Sequence, residues 1–89
     1  MNWAWQFEAA ALREFRQLDY TAQKRIVHFL DTRIATPHDP RRFGKSLSGD
    51  KHGLWRYRVG DHRLVAQIQA NILVVLVVRV GHRKDVYDF

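Results

Sequence analysis

Residues 54–80 read LWRYRVGDHRLVAQIQANILVVLVVRV and have the pattern of three successive β-strands. In the first two, apolar and polar side chains alternate with a period of two, which predicts strands with one buried face each. The third is almost entirely apolar, which is typical of a central strand covered on both faces. Between the first two, glycine followed by aspartate favours a two-residue hairpin turn. The predicted elements are strands at residues 54–59, 63–69 and 72–80, with turns at residues 60–61 and 70–71.

The sequence before this meander predicts a short strand, two helices and a loop. Residues 2–7 alternate loosely and are rich in aromatic side chains, as in a short strand. Apolar side chains recur at spacings of three and four in residues 8–18 and again in residues 22–34, which predicts two helices. Thr21 is the predicted N-cap of the second helix, and residues 41–53 are predicted to form a basic loop. The predicted fold class is therefore α+β, in the order β-α-α-β-β-β, with a two-helix hairpin packed on a small, mainly antiparallel sheet.

Length and composition set bounds on the class of protein. A chain of 89 residues predicts a single domain, residues 1–89. Cysteine is absent, which excludes disulfides and thiolate chemistry. The N-terminal sequence lacks the basic region of a signal peptide. The longest apolar run, residues 72–78, is far shorter than the roughly 20 residues that span a bilayer. These features predict a soluble protein of a reducing compartment.

The net positive charge of the chain comes from its second half. Fifteen Lys and Arg against nine Asp and Glu give a net charge of +6. Residues 1–40 carry five charges of each sign, whereas residues 41–84 carry ten basic residues and two acidic ones, Asp50 and Asp61. This asymmetry predicts a polyanionic partner, and charge alone allows a nucleic acid, an acidic protein or an anionic membrane surface.

Strand periodicity predicts that three arginines share the sheet face away from the helices. Arg56 and Arg58 alternate with the apolar residues of one strand, and Arg63 alternates with those of the next. The strands contain no acidic residues to pair with them, and like charges on adjacent strands are unfavourable. The three guanidinium groups either bind an anion or simply solvate an exposed sheet face.

The C-terminal sequence GHRKDVYDF adds further polar residues after the last strand. Gly81 is predicted to let the chain leave the sheet. His82, Arg83 and Lys84 follow it. Tyr87 either stacks on a nucleic-acid base, as aromatic residues do in single-stranded RNA sites, or packs with the end of the chain against the core.

Together these segments resemble the RelE branch of the RelE/ParE toxin superfamily. The similarity is carried by LWRYRVGDHRLVAQI, by the turn Leu47-Ser48-Gly49, and by VVRVGHRKDVYDF. It implies the fold of small microbial ribonucleases and a toxin that cleaves mRNA in the ribosomal A site without a metal or cofactor. It also implies a bacterial or archaeal cytoplasmic protein held inactive by a cognate antitoxin, RelB-like or of another class. DNA would be reached only indirectly, through an antitoxin complex, and no membrane is involved.

The resemblance implies roles for particular residues. In the family, the matching positions bind the scissile phosphate, take part in proton transfer and stack on the substrate base. The matching positions in this sequence are Arg56, Arg58, Arg63, Arg83 and Tyr87. Basic residues of the loop and of the C-terminal sequence are predicted to bind RNA as well; these are Arg41, Arg42, Lys45, Lys51 and Lys84.

The group that takes the 2′-hydroxyl proton is left open by the sequence. Family members often carry a lysine at one of the positions of Arg56 and Arg58. An arginine pKa above about 12 makes a neutral base unfavourable. His82 or His62 could serve instead, because histidine titrates near neutral pH. The histidines show no metal-ligand spacing, and a metal site is not predicted.

Two other functions remain open at this point. A ParE-like protein of the same fold would bind DNA gyrase and cleave nothing, since fold alone does not decide function. A basic binding domain without toxicity is the other. Lys24, Arg25 and Arg33 on the second helix are predicted either to solvate its outer face or to contact ribosomal RNA nonspecifically.

Overall fold

The computed structural model describes residues 1–48 and 53–84. The helical elements are α1 (Ala9–Arg16), α2 (Tyr20–Phe29), a π-helical continuation of α2 (Leu30–Ile34), and two 3₁₀ helices (Pro40–Phe43 and Ala70–Ile72). The strands are β1 (Ala4–Phe7), β2 (Gly44–Ser46), β3 (Leu54–Val59), β4 (His62–Gln69) and β5 (Val74–His82). Within the described ranges, none of the helices combines the length and the apolar character that a membrane span needs.

The five strands form one sheet in the order β1-β5-β4-β3-β2. The three pairs from β5 to β2 are antiparallel, and β1 alone runs parallel to its neighbour β5. The apolar strand β5 therefore lies inside the sheet, as its sequence predicts. The α+β class and the mainly antiparallel sheet are confirmed.

The helices cover one face of this sheet and enclose the core with it. Ile26, Leu30 and Ile34 recur every four residues along α2 and its continuation, and all three are fully buried. They pack against alternate residues of the strands. The prediction that the apolar sets of β3 and β4 face the helices, with the arginines on the other face, is therefore confirmed. The buried strand residues in this core are Tyr57, Val59, Leu64, Ala66, Val75, Val77 and Val80.

Three local predictions were wrong. The N-cap of α2 is Asp19, whose carboxylate accepts a 2.7 Å hydrogen bond from the Ala22 N–H, rather than Thr21. The predicted basic loop contains a 3₁₀ helix and β2, because Gly44–Ser46 pairs with β3. Gly81 does not release the chain from the sheet, since it lies within β5 opposite Arg63.

Tyr57 joins the first 3₁₀ helix to the sheet. Its buried hydroxyl donates a 2.9 Å hydrogen bond to the carbonyl of Pro40. Burial raises the pKa of this phenol far above its ordinary value of 10.0. Gly44 lies against the same ring, and a Cβ there would come within 3.0 Å of it. This close contact holds the basic 3₁₀ helix beside β3.

Candidate nucleic-acid interface

Arginines from β3 and β4 lie side by side on the sheet face that the helices leave open. The register places Arg58 directly opposite Arg63 and Arg56 opposite Val65. Directly opposite residues of an antiparallel pair project from the same face of the sheet. Val65 is fully buried and forms an apolar floor between the basic side chains. Two of the three predicted arginines are therefore cross-strand neighbours, and the third is on the same face.

The electrostatics of Arg63 show that a fourth arginine belongs to this group. The pKa of its guanidinium is lowered, first by partial burial and then by the positive charges of Arg58, Arg56 and Arg83. Asp61 offsets only part of this repulsion. We call Arg56, Arg58, Arg63 and Arg83 the arginine cluster. The charges of the other three act on Arg63, so β3, β4 and the turn after β5 bring positive charge to one place.

Backbone groups hold two members of the arginine cluster at the β3–β4 turn. Arg63 Nη1 donates hydrogen bonds to the carbonyls of Gly60 (3.2 Å) and His62 (3.0 Å). The Arg83 N–H donates to the carbonyl of Asp61 at 2.8 Å. The turn thus ties the end of β5 to the start of β4. The Arg63 guanidinium, held in this way, needs little reorganisation to receive an anion.

Carboxylates do not neutralise the arginine cluster within residues 1–48 and 53–84. The ion pairs in this part of the chain join Arg41 to Asp39 at 3.1 Å and Arg79 to Glu14 at 3.2 Å. Neither involves a member of the cluster. An uncompensated group of like charges on neighbouring strands favours a bound anion over a purely solvated face.

A bulge in β5 determines which of its residues reach this face. Val65 pairs with Arg79 and Ala66 pairs with Val77, so Val78 is an extra residue in β5. Val77 and Val80 both enter the core as a result. Without the extra residue, the alternation along the strand would place Val80 on the face opposite to Val77. The bulge therefore shifts the alternation of β5 by one residue, so that each side chain after Val78 lies on the opposite face from the one that an uninterrupted strand would give it.

The two candidate histidines lie on the other side of the sheet. His62 and His82 are register partners, and their rings meet edge to face with centroids 5.7 Å apart. Alternation along the strands places them on the side of Val59 and Val80, which face the helices. His82 Nδ1 accepts a 3.2 Å hydrogen bond from the Lys84 N–H. The pair is thus separated from Arg58 and Arg63 by the plane of the sheet.

Some of the predicted RNA-binding residues extend the arginine cluster. A cleft of about 270 Å³ at the β2 edge contains Arg42 and Lys45 beside Arg56 and Arg58. The Arg42 guanidinium lies over the ring of Phe43, 4.6 Å from its centroid. This stacking keeps the charge at the mouth of the cleft.

The other predicted residues are placed differently. Arg41 pairs with Asp39, and hydrogen bonds from the Arg41 backbone and side chain help to lower the pKa of that carboxyl. Lys84 is exposed in the turn after β5. Lys51 and Tyr87 lie outside the described residues.

The structure also contains a basic groove that the sequence did not reveal. It lies between α2 and the β3–β4 turn and has a volume of about 670 Å³. Basic residues of α2 and its continuation line it together with Arg58, which also lines the smaller cleft. Spacings of four from Arg25 through Phe29 to Arg33 place these residues along one helix face, but only packing against the turn makes that face concave. We call this concavity the α2 groove; its lining residues are Lys24, Arg25, His28, Phe29, Thr32, Arg33, Arg58, Val59 and Gly60.

Comparisons with known proteins identify the family and the fold of this chain. The family model described as ParE toxin of the type II toxin–antitoxin system parDE matches residues 5–87. Toxin RelG of Mycobacterium tuberculosis is 29% identical over 87 residues, which cover 98% of both chains. A chain of the toxin–antitoxin complex RelBE2 of the same organism superposes with a TM-score of 0.85 at 26% identity, covering 93% of this chain and all of that one.

A structure from a second organism supports the same fold. An arginine mutant of Escherichia coli toxin RelE in the free state superposes with a TM-score of 0.72 at 23% identity, covering 98% of this chain and 90% of that one. The family match spans nearly the whole chain and thus includes both helices and, apart from Ala4 of β1, all the strands of the sheet. The chain belongs to the RelE/ParE superfamily of toxins of type II toxin–antitoxin systems.

Proposed function

We propose that this toxin is a ribosome-dependent endoribonuclease of the RelE type, which cleaves mRNA in the A site and so inhibits translation in the bacterial or archaeal cytoplasm. The observation that carries the proposal is the arginine cluster on the open sheet face, with no carboxylate partner among residues 1–48 and 53–84. RNA is a polyanion with a phosphodiester at every step, and such a cluster is suited to hold one. The similarity to Toxin RelG and to the RelE structures supports the same function.

The proposed reaction uses the 2′-hydroxyl of the RNA as its nucleophile. The 2′-oxygen attacks the adjacent phosphorus and loses its proton, the P–O5′ bond breaks, and the departing 5′-oxygen gains a proton. The intermediate carries two negative charges on its phosphorane oxygens. Arginine binds such oxygens through two parallel hydrogen bonds. Arg63 and Arg83 would hold this phosphate, with Arg56 and Arg58 adding positive charge beside it.

Electrostatic stabilisation is the main role that we assign to these residues. Preorganised charge aimed at a developing anion usually lowers an enzymatic barrier more than any other single effect. The lowered pKa of Arg63 does not make it a base at neutral pH, because the ordinary pKa of arginine lies far above neutrality. His62 and His82 face the helix side, and their position gives no support to direct proton transfer at a phosphate held by the arginine cluster. Tyr87 remains the proposed stacking residue.

We also propose that a cognate antitoxin binds this toxin. Relatives from Mycobacterium tuberculosis, Pyrococcus horikoshii and Escherichia coli have been solved as toxin–antitoxin complexes. An antitoxin that covers the open sheet face would block RNA and neutralise the cluster together. Contact with DNA would then occur only through such a complex.

The decisive experiment is cleavage of a translated mRNA by the purified protein in a reconstituted translation reaction. Primer extension should reveal cuts at codons occupying the A site, while free mRNA stays intact. Arg63→Ala and Arg83→Ala should each abolish the cuts. Arg13→Ala removes one exposed positive charge from the last turn of α1 and should cleave normally. Intact message beside ribosomes, with a folded wild-type protein, would refute the nuclease.

A ParE-like gyrase inhibitor is the second candidate, favoured by the family model that matches residues 5–87. This function predicts that the protein inhibits supercoiling by purified DNA gyrase at modest concentration. We expect no inhibition, because the arginine cluster is suited to bind phosphate. Gyrase inhibition that persists in Arg63→Ala, together with intact mRNA, would assign the protein to this branch.

A further inference from the structure

The α2 groove combines an aromatic wall with several positive charges. Phe29 is half-buried in the groove, and Lys24, Arg25 and Arg33 project from the same side of α2. None of its lining residues is acidic. Single-stranded nucleic acids bind to grooves of this composition, in which cations follow the backbone and aromatic rings contact the bases.

Arg25 extends from α2 to the opposite wall of the groove. A Cβ added at Gly60 would lie 3.3 Å from Arg25 Nη1, so the guanidinium rests against the β3–β4 turn. Glycine at this position has a φ of 59°, a conformation that other residues rarely adopt. The guanidinium therefore lies over the groove, and the ion pairs among the described residues do not include it.

The α2 groove is continuous with the arginine cluster around the edge of the sheet. β2 pairs with β3 only as far as Tyr57, which leaves the β3 edge at Arg58 without a neighbouring strand in the described part of the chain. Arg58 lines both the groove and the cleft beside β2. Arg33 and Arg42 both lie over the ring of Phe43, at 5.3 and 4.6 Å from its centroid. Arg33 belongs to the groove and Arg42 to the cleft, so the ridge between them is also positively charged.

We propose that the α2 groove is a second phosphodiester-binding subsite, which holds the RNA strand on one side of the phosphate bound by the arginine cluster. The inference rests on the proposed function, because it takes RNA to be the ligand of the cluster. An acidic protein segment would satisfy the same charges. Continuity through Arg58 favours one extended polyanion over two separate ligands, and an aromatic wall favours a strand that carries bases.

Salt dependence of RNA binding tests this subsite directly. Each phosphate contact that is lost from a single strand should reduce the slope of log K against log salt by about 0.7. The double variant Arg25→Gln/Arg33→Gln should therefore bind a single-stranded RNA of about ten nucleotides, a length within the range bound by single OB-fold domains, with a slope reduced by about 1.4. The matched control Arg13→Gln/Arg16→Gln removes two exposed charges from α1 and should leave the slope unchanged. Thermal unfolding checks that both variants are folded.

A dinucleotide separates the subsite from the proposed function, because it is too short to occupy both places. Its binding to the arginine cluster, followed by the NMR shifts of the Arg56 and Val65 amides, should be lost in Arg63→Gln and retained in Arg25→Gln/Arg33→Gln. The subsite would be overturned if the salt slope of the groove variant were unchanged. It would also be overturned if the slope fell equally in the groove variant and in the α1 control variant. Tighter binding of a polyglutamate peptide than of RNA, through the groove residues, would also overturn it, in favour of a protein segment. Normal dinucleotide binding by Arg63→Gln would refute RNA binding by the cluster and leave the salt slope of the groove variant as a separate result.

Discussion

Substitution of Glu14 should lower the free energy of unfolding more than substitution of any other polar residue outside the core. β1 pairs with β5 only as far as Val77. Glu14 lies on α1 beside the next part of β5, which has no β1 residue to pair with. Its carboxylate accepts a 2.9 Å hydrogen bond from the Val80 N–H and a 3.2 Å hydrogen bond from Arg79 Nε. The helix thus takes the place of a neighbouring strand and satisfies the open edge of β5 just before the residues that lead to Arg83.

The expected loss of stability follows from the unpaired N–H that the substitution of Glu14 creates. Val80 is 1% exposed and its hydrogen bond to Glu14 is part-buried, so Glu14→Ala leaves a largely buried N–H without its acceptor. An unsatisfied buried donor costs about 1–3 kcal/mol, and a charge-assisted hydrogen bond at a half-buried site adds less than its full value. We expect Glu14→Ala to lower the free energy of unfolding by about 2–3 kcal/mol. For a domain of this size, the melting temperature should fall by roughly 10–20 °C.

Two further variants distinguish the hydrogen bonds from the charge. Glu14→Gln keeps an oxygen that can accept from the Val80 N–H and should cost only about 1 kcal/mol. Glu8→Gln removes the same charge from an exposed residue without a capping hydrogen bond and should cost at most about 0.5 kcal/mol. Thermal denaturation gives the stabilities, and amide hydrogen exchange should quicken at Val80 in Glu14→Ala. Equal melting temperatures for Glu14→Ala and Glu8→Gln would refute the reasoning.

Three other substitutions test the site and its supports. Arg58→Gln removes a like charge directly opposite Arg63 and should stabilise the protein by about 0.2–1 kcal/mol while weakening RNA binding; a loss of stability in urea denaturation would contradict the repulsion. Tyr57→Phe deprives the Pro40 carbonyl of its donor and should cost about 1–2 kcal/mol, whereas no change in the urea midpoint would show that the hydrogen bond is dispensable. The folded-state pKa of Asp39 is lowered from 3.8, so its ionised form stabilises the fold above that pH, and this stability is lost as the pH falls through the lowered value. Stability curves of Asp39→Asn and the wild type should therefore differ at neutral pH and converge below pH 3.8; a constant gap would contradict the ion pair.

The β3–β4 hairpin was the part of the fold that sequence could predict most fully. A two-residue turn at Gly60 and Asp61 fixes which residues pair, and period-two alternation then fixes which of them are buried. The placement of Arg58 opposite Arg63 follows from these two facts alone. β2 could not be predicted in this way, because three residues rich in small and polar side chains show no periodicity. Its pairing depends on Tyr57 and on the close approach of Gly44.

The α2 groove could not be predicted from the sequence because it is formed by two elements that are distant in the chain. The spacing of Arg25 and Arg33 reveals a basic helix face, and such faces are ordinarily solvated. The groove arises because α2 packs over β3 and brings that face beside the turn that carries Gly60. Composition and spacing therefore reveal the charge and miss the concave shape on which the proposed subsite depends.

The bulge in β5 links the fold to the choice of chemistry. If β5 alternated without interruption from Val77, residues 79, 81 and 83 would face the helices, and His82 would face the arginine cluster. The extra residue Val78 reverses this arrangement, so that Arg79 shares the face of Val65 while His82 turns toward the helices. The charge of Arg83 acts on Arg63, as this reversal requires. The extra residue Val78 thus gives the open face the Arg83 guanidinium in place of the His82 imidazole, which favours the proposed role of stabilising a phosphate over that of carrying a proton.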